Sequence, residues 1–190
     1  MDWEERGDQF WGRALVATFR EALLAPAGLG ARLSGSGRVG WALSYLALIT
    51  LLGALPLCLL VAALLLTVAD PLTLGLRSTG VLSMAVTVAL ACIGFATLLP
   101  LFYTAWSASL TLWARALGGD ARFELLLRAG AYGLSWLAVP LFGPLLSPLA
   151  LIWMLVAEHA ALRAQRAPAW PALLLNALTW GLPFALLRLR

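Results

Sequence analysis

A chain of 190 residues that is 62% hydrophobic and only 12% charged lacks the polar surface of a water-soluble globule, which typically carries about 25% charged residues. Its net charge of +4 comes from arginine alone, since the sequence has no lysine, and a basic excess on so apolar a chain points to membrane orientation and anionic lipid and away from nucleic acid. The single histidine, His159, excludes a zinc centre, while Cys58 and Cys92 lie in separate apolar blocks without CxxC spacing and read as small apolar residues outside any redox or metal pair.

The first stretch carries Asp2, Glu4, Glu5, Asp8 and Glu21, the wrong beginning for a cleaved signal peptide. From Asp8 to Ala25, Trp11, Leu15, Phe19, Ala22 and Leu23 recur at helical spacing while Arg13, Arg20 and Glu21 project elsewhere. The pattern predicts an amphipathic helix too polar to cross a bilayer, with Trp11 and Phe19 on a face that suits the lipid interface. The alternative is that this face packs on the protein's own helices. Pro26 ends the helix, and Gly28, Gly30, Gly35 and Gly37 make a flexible link, so residues 1–38 form an N-terminal region ahead of the apolar blocks.

Residues 39–69 carry no charge and at 1.5 Å per residue reach about 45 Å, enough to cross a roughly 30 Å hydrocarbon core with tilt. The first membrane helix is placed at about 41–69, with Trp41 and Tyr45 at the interface, Pro56 inside it and Asp70-Pro71 as an outer turn. The uncharged run from Ser78 to Ala114 lacks a polar turn. It predicts one long bent helix at about 79–117, with Pro100 near the bend. Ser83, Thr87, Gly94, Thr97, Thr104, Ser107 and Thr111 make a small and hydroxyl stripe along it, either a close helix contact or the lining of a pathway.

Gly118-Gly119-Asp120 breaks that helix. A third helix at about 123–139 follows, on which Glu124, Arg128, Tyr132 and Trp136 recur every four residues. Glu124 and Arg128 can pair, and the row either anchors a helix end or binds a lipid headgroup or acidic partner. Pro140, Pro144 and Pro148 call for a hairpin turn, then a fourth helix at about 148–162. Glu158-His159 is its only polar pair. Beside Arg163 and Arg166 it reads as a headgroup-level pair, against a proton-linked role for Glu158. Trp170-Pro171 opens a fifth segment, about 171–187, either a full crossing or a re-entrant one.

With the N-terminus inside, Arg6, Arg13, Arg20, Arg32, Arg38, Arg115, Arg122, Arg128, Arg163 and Arg166 fall on the cytoplasmic side, and only Arg77, Arg188 and Arg190 fall outside. The positive-inside rule selects this orientation. The expected fold is therefore an all-α polytopic bundle of about five membrane helices, preceded by an interfacial helix, in a bacterial inner membrane. No GxSxG, HExxH, Walker A or strand-to-helix GxGxxG motif is present, so neither an enzyme nor a cofactor is expected.

The order of parts resembles the bacterial branch of the Yip family, the Ypt/Rab-interacting membrane proteins. It is carried by "FREALLAPAGLGARLSGSG", two apolar helices, "GGDARFELLLRAGAYGLSWLAVP" and "LIWMLVAEHAALRAQRA". Gly118, Gly119 and Phe123 match the family's glycine-rich loop and following aromatic. Tyr132 matches its third-helix tyrosine, and Trp153 and His159 the tryptophan and histidine of its fourth helix. The resemblance implies five membrane helices and a cytoplasmic N-terminus. Its eukaryotic members work in vesicle traffic with prenylated Rab-type GTPases, and their Asp-Leu-Tyr-Gly-Pro motif is absent here. The expected role is a membrane adaptor or organiser that recruits a partner or shapes lipid, the alternative a small transporter or channel subunit. Besides the bilayer, the expected partners are a protein at the cytoplasmic face and further copies of the chain, with no nucleic acid.

Overall fold

Apolar blocks this long must pair their backbone N–H and C=O groups within the segment, and the α-helix does so. The computed structural model describes residues 11–28, 33, 39–68, 74–138 and 147–188, and every regular element among them is helical. In chain order they are α1 (Trp11–Leu24), α2 (Val39–Val68), α3 (Leu74–Ala116), α4 (Phe123–Gly133), a 3-10 segment (Leu134–Ala138), α5 (Ser147–Ala164) and α6 (Ala169–Arg188). The acidic N-terminal stretch, most of the glycine link, the Asp70-Pro71 turn and the break at Pro140 and Pro144 lie outside the described residues.

Pro56 and Pro100 both sit inside continuous helices. At 43 residues, α3 is about 65 Å long. Within it Cys92–Ala116, 25 residues, is long and apolar enough to cross a membrane by length and composition. Cys92 is disulfide-bonded, which corrects its reading as a residue outside any pair.

The short α4 is the centre of the bundle. It packs against α1, α2, α3 and α5, and every residue from Leu125 to Gly133 is buried. The expected helix over 123–139 ends early, at Gly133, and tightens into the 3-10 segment. Two causes are visible: Gly130 and Gly133 lower helix propensity by about 1 kcal/mol each, and the Ser135 hydroxyl donates back to the Tyr132 carbonyl, a local bond that competes with the regular ladder. Both glycines also serve packing. A Cβ on Gly133 would come within 2.7 Å of Met154 Cα on α5, and one on Gly53 of α2 would overlap the Leu137 carbonyl.

α1 is amphipathic, but its inner stripe is Ala14, Thr18 and Ala22, fully buried against α4 and the 3-10 segment. Leu15 and Phe19 are half-buried at the edge of that contact, and Trp11, Arg13, Val16, Arg20 and Leu24 face outward. The apolar face expected from spacing is thus displaced by one residue, because small side chains permit the closest approach. Packing on the protein's own helices, the alternative reading of α1, is what holds its inner side. Its end is fixed by Trp153 on α5, whose indole N–H donates to the Leu23 carbonyl at 2.9 Å, satisfying one of the acceptors that a helix C-terminus leaves open.

At one end of the bundle α3 and α5 finish in the same way. Gly119 N–H donates to the Ala114 carbonyl and Gly118 N–H to that of Arg115; Ala167 N–H donates to Leu162 and Arg166 N–H to Arg163. Each is a Schellman cap with a left-handed residue: Gly118 at φ 83° in the first, Arg166 at φ 56° in the second. The two turns pack together, since a Cβ on Gly119 would meet Ala167, and the Gln165 side-chain oxygen Oε1 accepts the Arg122 backbone N–H at 2.6 Å. Arg115, Arg122, Arg163 and Arg166 gather at this end.

Gly133→Ala forces α4 and α5 apart and is expected to cost about 1–3 kcal/mol. Gly94→Ala, where nothing lies within 4 Å, should be neutral or slightly stabilising. Thermal melts of the two variants followed by circular dichroism measure the contrast.

Candidate functional site

Between α3, α4 and α5 lies a buried carboxylate. Glu158 is fully buried on α5. Tyr103 on α3 donates its hydroxyl to Oε1 at 2.5 Å, and Trp106, one turn further along α3, points its indole N–H at both carboxylate oxygens, at 3.1 and 3.2 Å. The Tyr103 hydroxyl oxygen also lies 3.2 Å from the Leu126 carbonyl of α4. Space for it comes from Gly130, where a Cβ would collide with that hydroxyl and approach Glu158 Oε1 to 3.0 Å. One carboxylate thus ties α3 to α5 across the face of α4.

The same side of α3 continues toward α6. Trp106 presents its carbonyl to the Asn176 amide at 3.4 Å, and Ser109 bonds to Asn176 Oδ1 while accepting the Trp180 indole N–H at 2.9 Å. Trp113 donates to Thr179 at 2.9 Å. Rings reinforce the contact: Trp180 meets Phe102 at 4.9 Å and Trp106 at 6.4 Å between centroids. A second node lies on the α2 side, where the Tyr45 and Ser135 hydroxyls are 2.7 Å apart and the Tyr45 and Tyr132 rings meet edge to face at 5.0 Å.

The sequence-selected residues do not form one site. Trp11 is exposed and Phe19 half-buried on α1; neither reaches the carboxylate cluster. On α4 the row of four divides: Glu124 is exposed, Arg128 is buried at 3% exposure, and Tyr132 is fully buried against Tyr45. Tyr132 is therefore closed to lipid or partner, which corrects its reading as a surface contact. Glu158 and His159, read as a pair near Arg163 and Arg166, point apart. Adjacent helical positions lie about 100° apart, so Glu158 turns inward while His159 stacks on Trp170 of α6 at 4.7 Å.

The threonine hydroxyls of the α3 stripe bond to their own helix. Thr87, Thr97, Thr104 and Thr111 each donate to the carbonyl four residues earlier. Ser83, Thr87 and Thr97 are exposed and Ser107 and Thr111 buried, so the row does not line one continuous surface.

Tyr103, Trp106 and Asn176 escaped sequence reading. Their signal was present: Tyr103 and Trp106 sit at i and i+3 in an apolar helix, and Asn176 is a lone amide in the last one. What was missing was the pairing, which joins positions 52 and 55 residues apart for Glu158. No protein-family model matches the chain, and neither curated proteins nor solved structures give a match.

Glu158→Ala leaves the Trp106 indole without its acceptor, at a cost of about 1–3 kcal/mol, and leaves the Tyr103 hydroxyl only the longer bond to the Leu126 carbonyl. In a double-mutant cycle, Tyr103→Phe and Glu158→Ala are expected to couple by about 0.5–3 kcal/mol. Denaturation of the three variants and the parent protein measures this; purely additive losses would show that the pair contributes no joint stability.

Proposed function

We propose that the chain is a multi-pass integral membrane protein of the Yip type that works as a membrane adaptor or organiser, without catalysing a reaction. The observation that carries the reading is the division of polar and apolar groups. The polar side chains of Tyr45, Tyr103, Trp106, Ser109, Glu158 and Asn176 are bonded to one another or to the backbone inside the bundle. Large apolar side chains point outward along α3 (Leu90, Ile93, Phe95, Leu98, Leu101, Leu112), α5 (Leu151, Ile152, Val156) and α6 (Trp170, Leu174, Leu178, Leu182). Lipid is the solvent that such an exterior matches.

In this reading α2, α3, α4 with its 3-10 extension, α5 and α6 are the five crossings, and the arginine-rich turns at Arg115, Arg122, Arg163 and Arg166 face the cytoplasm of a bacterial inner membrane. α1 then offers Trp11, Arg13, Val16, Arg20 and Leu24 to anionic lipid or a protein partner on that side. The alternative, a small transporter or channel subunit, needs a polar path. Hydroxyls bonded to their own helix weaken it.

Photocrosslinking probes placed singly at Val16, Arg20 and Leu178 in native membranes test the assignment. Lipid adducts are expected from Leu178, and a discrete protein adduct from Val16 or Arg20 that Arg13→Glu weakens. A protein that washes off membranes at alkaline pH would sink the integral-membrane reading. Probes on α1 that capture lipid alone would remove partner recruitment and leave lipid shaping.

A further inference from the structure

The heavy atoms around Glu158 are arranged so that either charge state of its carboxyl is fully hydrogen-bonded. A tyrosine hydroxyl carries one hydrogen and can also accept. The Tyr103 oxygen lies between two acceptors, Glu158 Oε1 at 2.5 Å and the Leu126 carbonyl at 3.2 Å. With Glu158 ionised, the hydrogen belongs in the short bond, whose length is that of a hydroxyl bound to a carboxylate. When Glu158 is protonated, its new O–H donates to the Tyr103 oxygen, which turns its own hydrogen to Leu126. The Trp106 indole, spread over both oxygens in the ionised state, retains the remaining carbonyl oxygen as acceptor. One proton is taken up, one O–H bond forms on Glu158, and the oxygen positions can stay as they are.

We propose that Glu158, Tyr103, Trp106 and the Leu126 carbonyl form a proton-binding site, in which uptake of one proton by Glu158 reverses the Tyr103–Glu158 hydrogen bond and turns the Tyr103 hydrogen from α5 to α4.

The surroundings distinguish this site from a buried ion pair. Among the described residues Tyr103 and Trp106 make the carboxylate's hydrogen bonds, and both are neutral donors. On α4, Glu124 is exposed and Arg128 is buried with contacts of its own; neither bonds to Glu158. Among the described side chains of α3 the cation is Arg115, which donates to the Ala121 carbonyl at 2.9 Å. α6 contributes the uncharged Asn176, and on α5 itself His159 faces Trp170 while Arg163 is exposed. α1 and the 3-10 segment place no charged group on the carboxylate. Gly130 belongs to the device, since any side chain there would push the Tyr103 hydroxyl out of the three-way contact.

The test is difference infrared spectroscopy on the full-length protein in lipid nanodiscs, taken through the pH range over which its helical circular dichroism is unchanged. A protonated-carboxyl C=O band should grow as pH falls, vanish in Glu158→Gln, and shift in frequency in Tyr103→Phe, which removes the acceptor of the new O–H. Absence of any band lost in Glu158→Gln would overturn the proposal, as would a band insensitive to Tyr103→Phe. Glutamine reproduces the hydrogen bonds of the neutral carboxyl, donating to Tyr103 and accepting from Trp106. Failure of Glu158→Gln to fold would therefore also overturn it, because the site would then not accommodate its protonated form.

Discussion

Burying a carboxylate away from water is a costly choice for this bundle, and much of its interior is organised around it. An isolated charge in low dielectric is worth several kcal/mol of penalty, and here two hydrogen bonds from neutral rings answer it. Those donors fix more than one side chain. Tyr103 and Trp106 set the rotation of α3, Glu158 sets that of α5, and the Leu126 carbonyl and Gly130 set how closely α4 lies between them. Once α3 has that rotation, Ser109 and Trp113 come to face α6, where Asn176, Trp180 and Thr179 complete their bonds.

Close approach makes such short bonds attainable. In the membrane setting proposed for this bundle the apolar effect does little to drive helices together, and packing depends on small residues at the crossing points. Gly53 against Leu137, Gly130 against Tyr103 and Gly133 against Met154 remove side chains where three helices converge, while Ala14, Thr18 and Ala22 do the same for α1. The bulky apolar side chains are left to the outside. A helix such as α6 therefore shows Trp170, Leu174, Leu178 and Leu182 on one side and Ala172, Leu173 and Asn176 on the other, a sorting by size and hydrogen bonding more than by hydrophobicity.

That sorting explains what was legible in the sequence. Uncharged runs and their Gly, Pro and Asp interruptions locate helices because a helix ends where its backbone can turn, as Gly118 does at φ 83°. They say little about which face turns inward when nearly every side chain is apolar. For α4 the four-residue row suggested one functional face, yet from Leu125 to Gly133 the helix is buried on all sides, and the row's members part company. For Glu158 the neighbouring Arg163 and Arg166 suggested an interfacial pair, whereas the direction of one side chain about α5 placed it inside. The decisive partners, Tyr103 and Trp106, are more than fifty positions away, and no local pattern reports such a contact.

The central position of α4 gives the carboxylate site its reach. The carbonyl that shares the Tyr103 hydroxyl belongs to Leu126, and the helix carrying it also supports α1, α2 and the start of the 3-10 segment. On proton uptake the Tyr103 hydroxyl turns its hydrogen to α4 while its contact with α5 is kept in the reversed direction. α1 rests on both sides of that exchange, its small stripe on α4 and its terminal Leu23 carbonyl on Trp153 of α5. With the oxygen positions unchanged, proton uptake alters which of these supporting helices takes the Tyr103 hydrogen and not their spacing. The coupling requires no moving loop, only that two packed helices share one hydrogen.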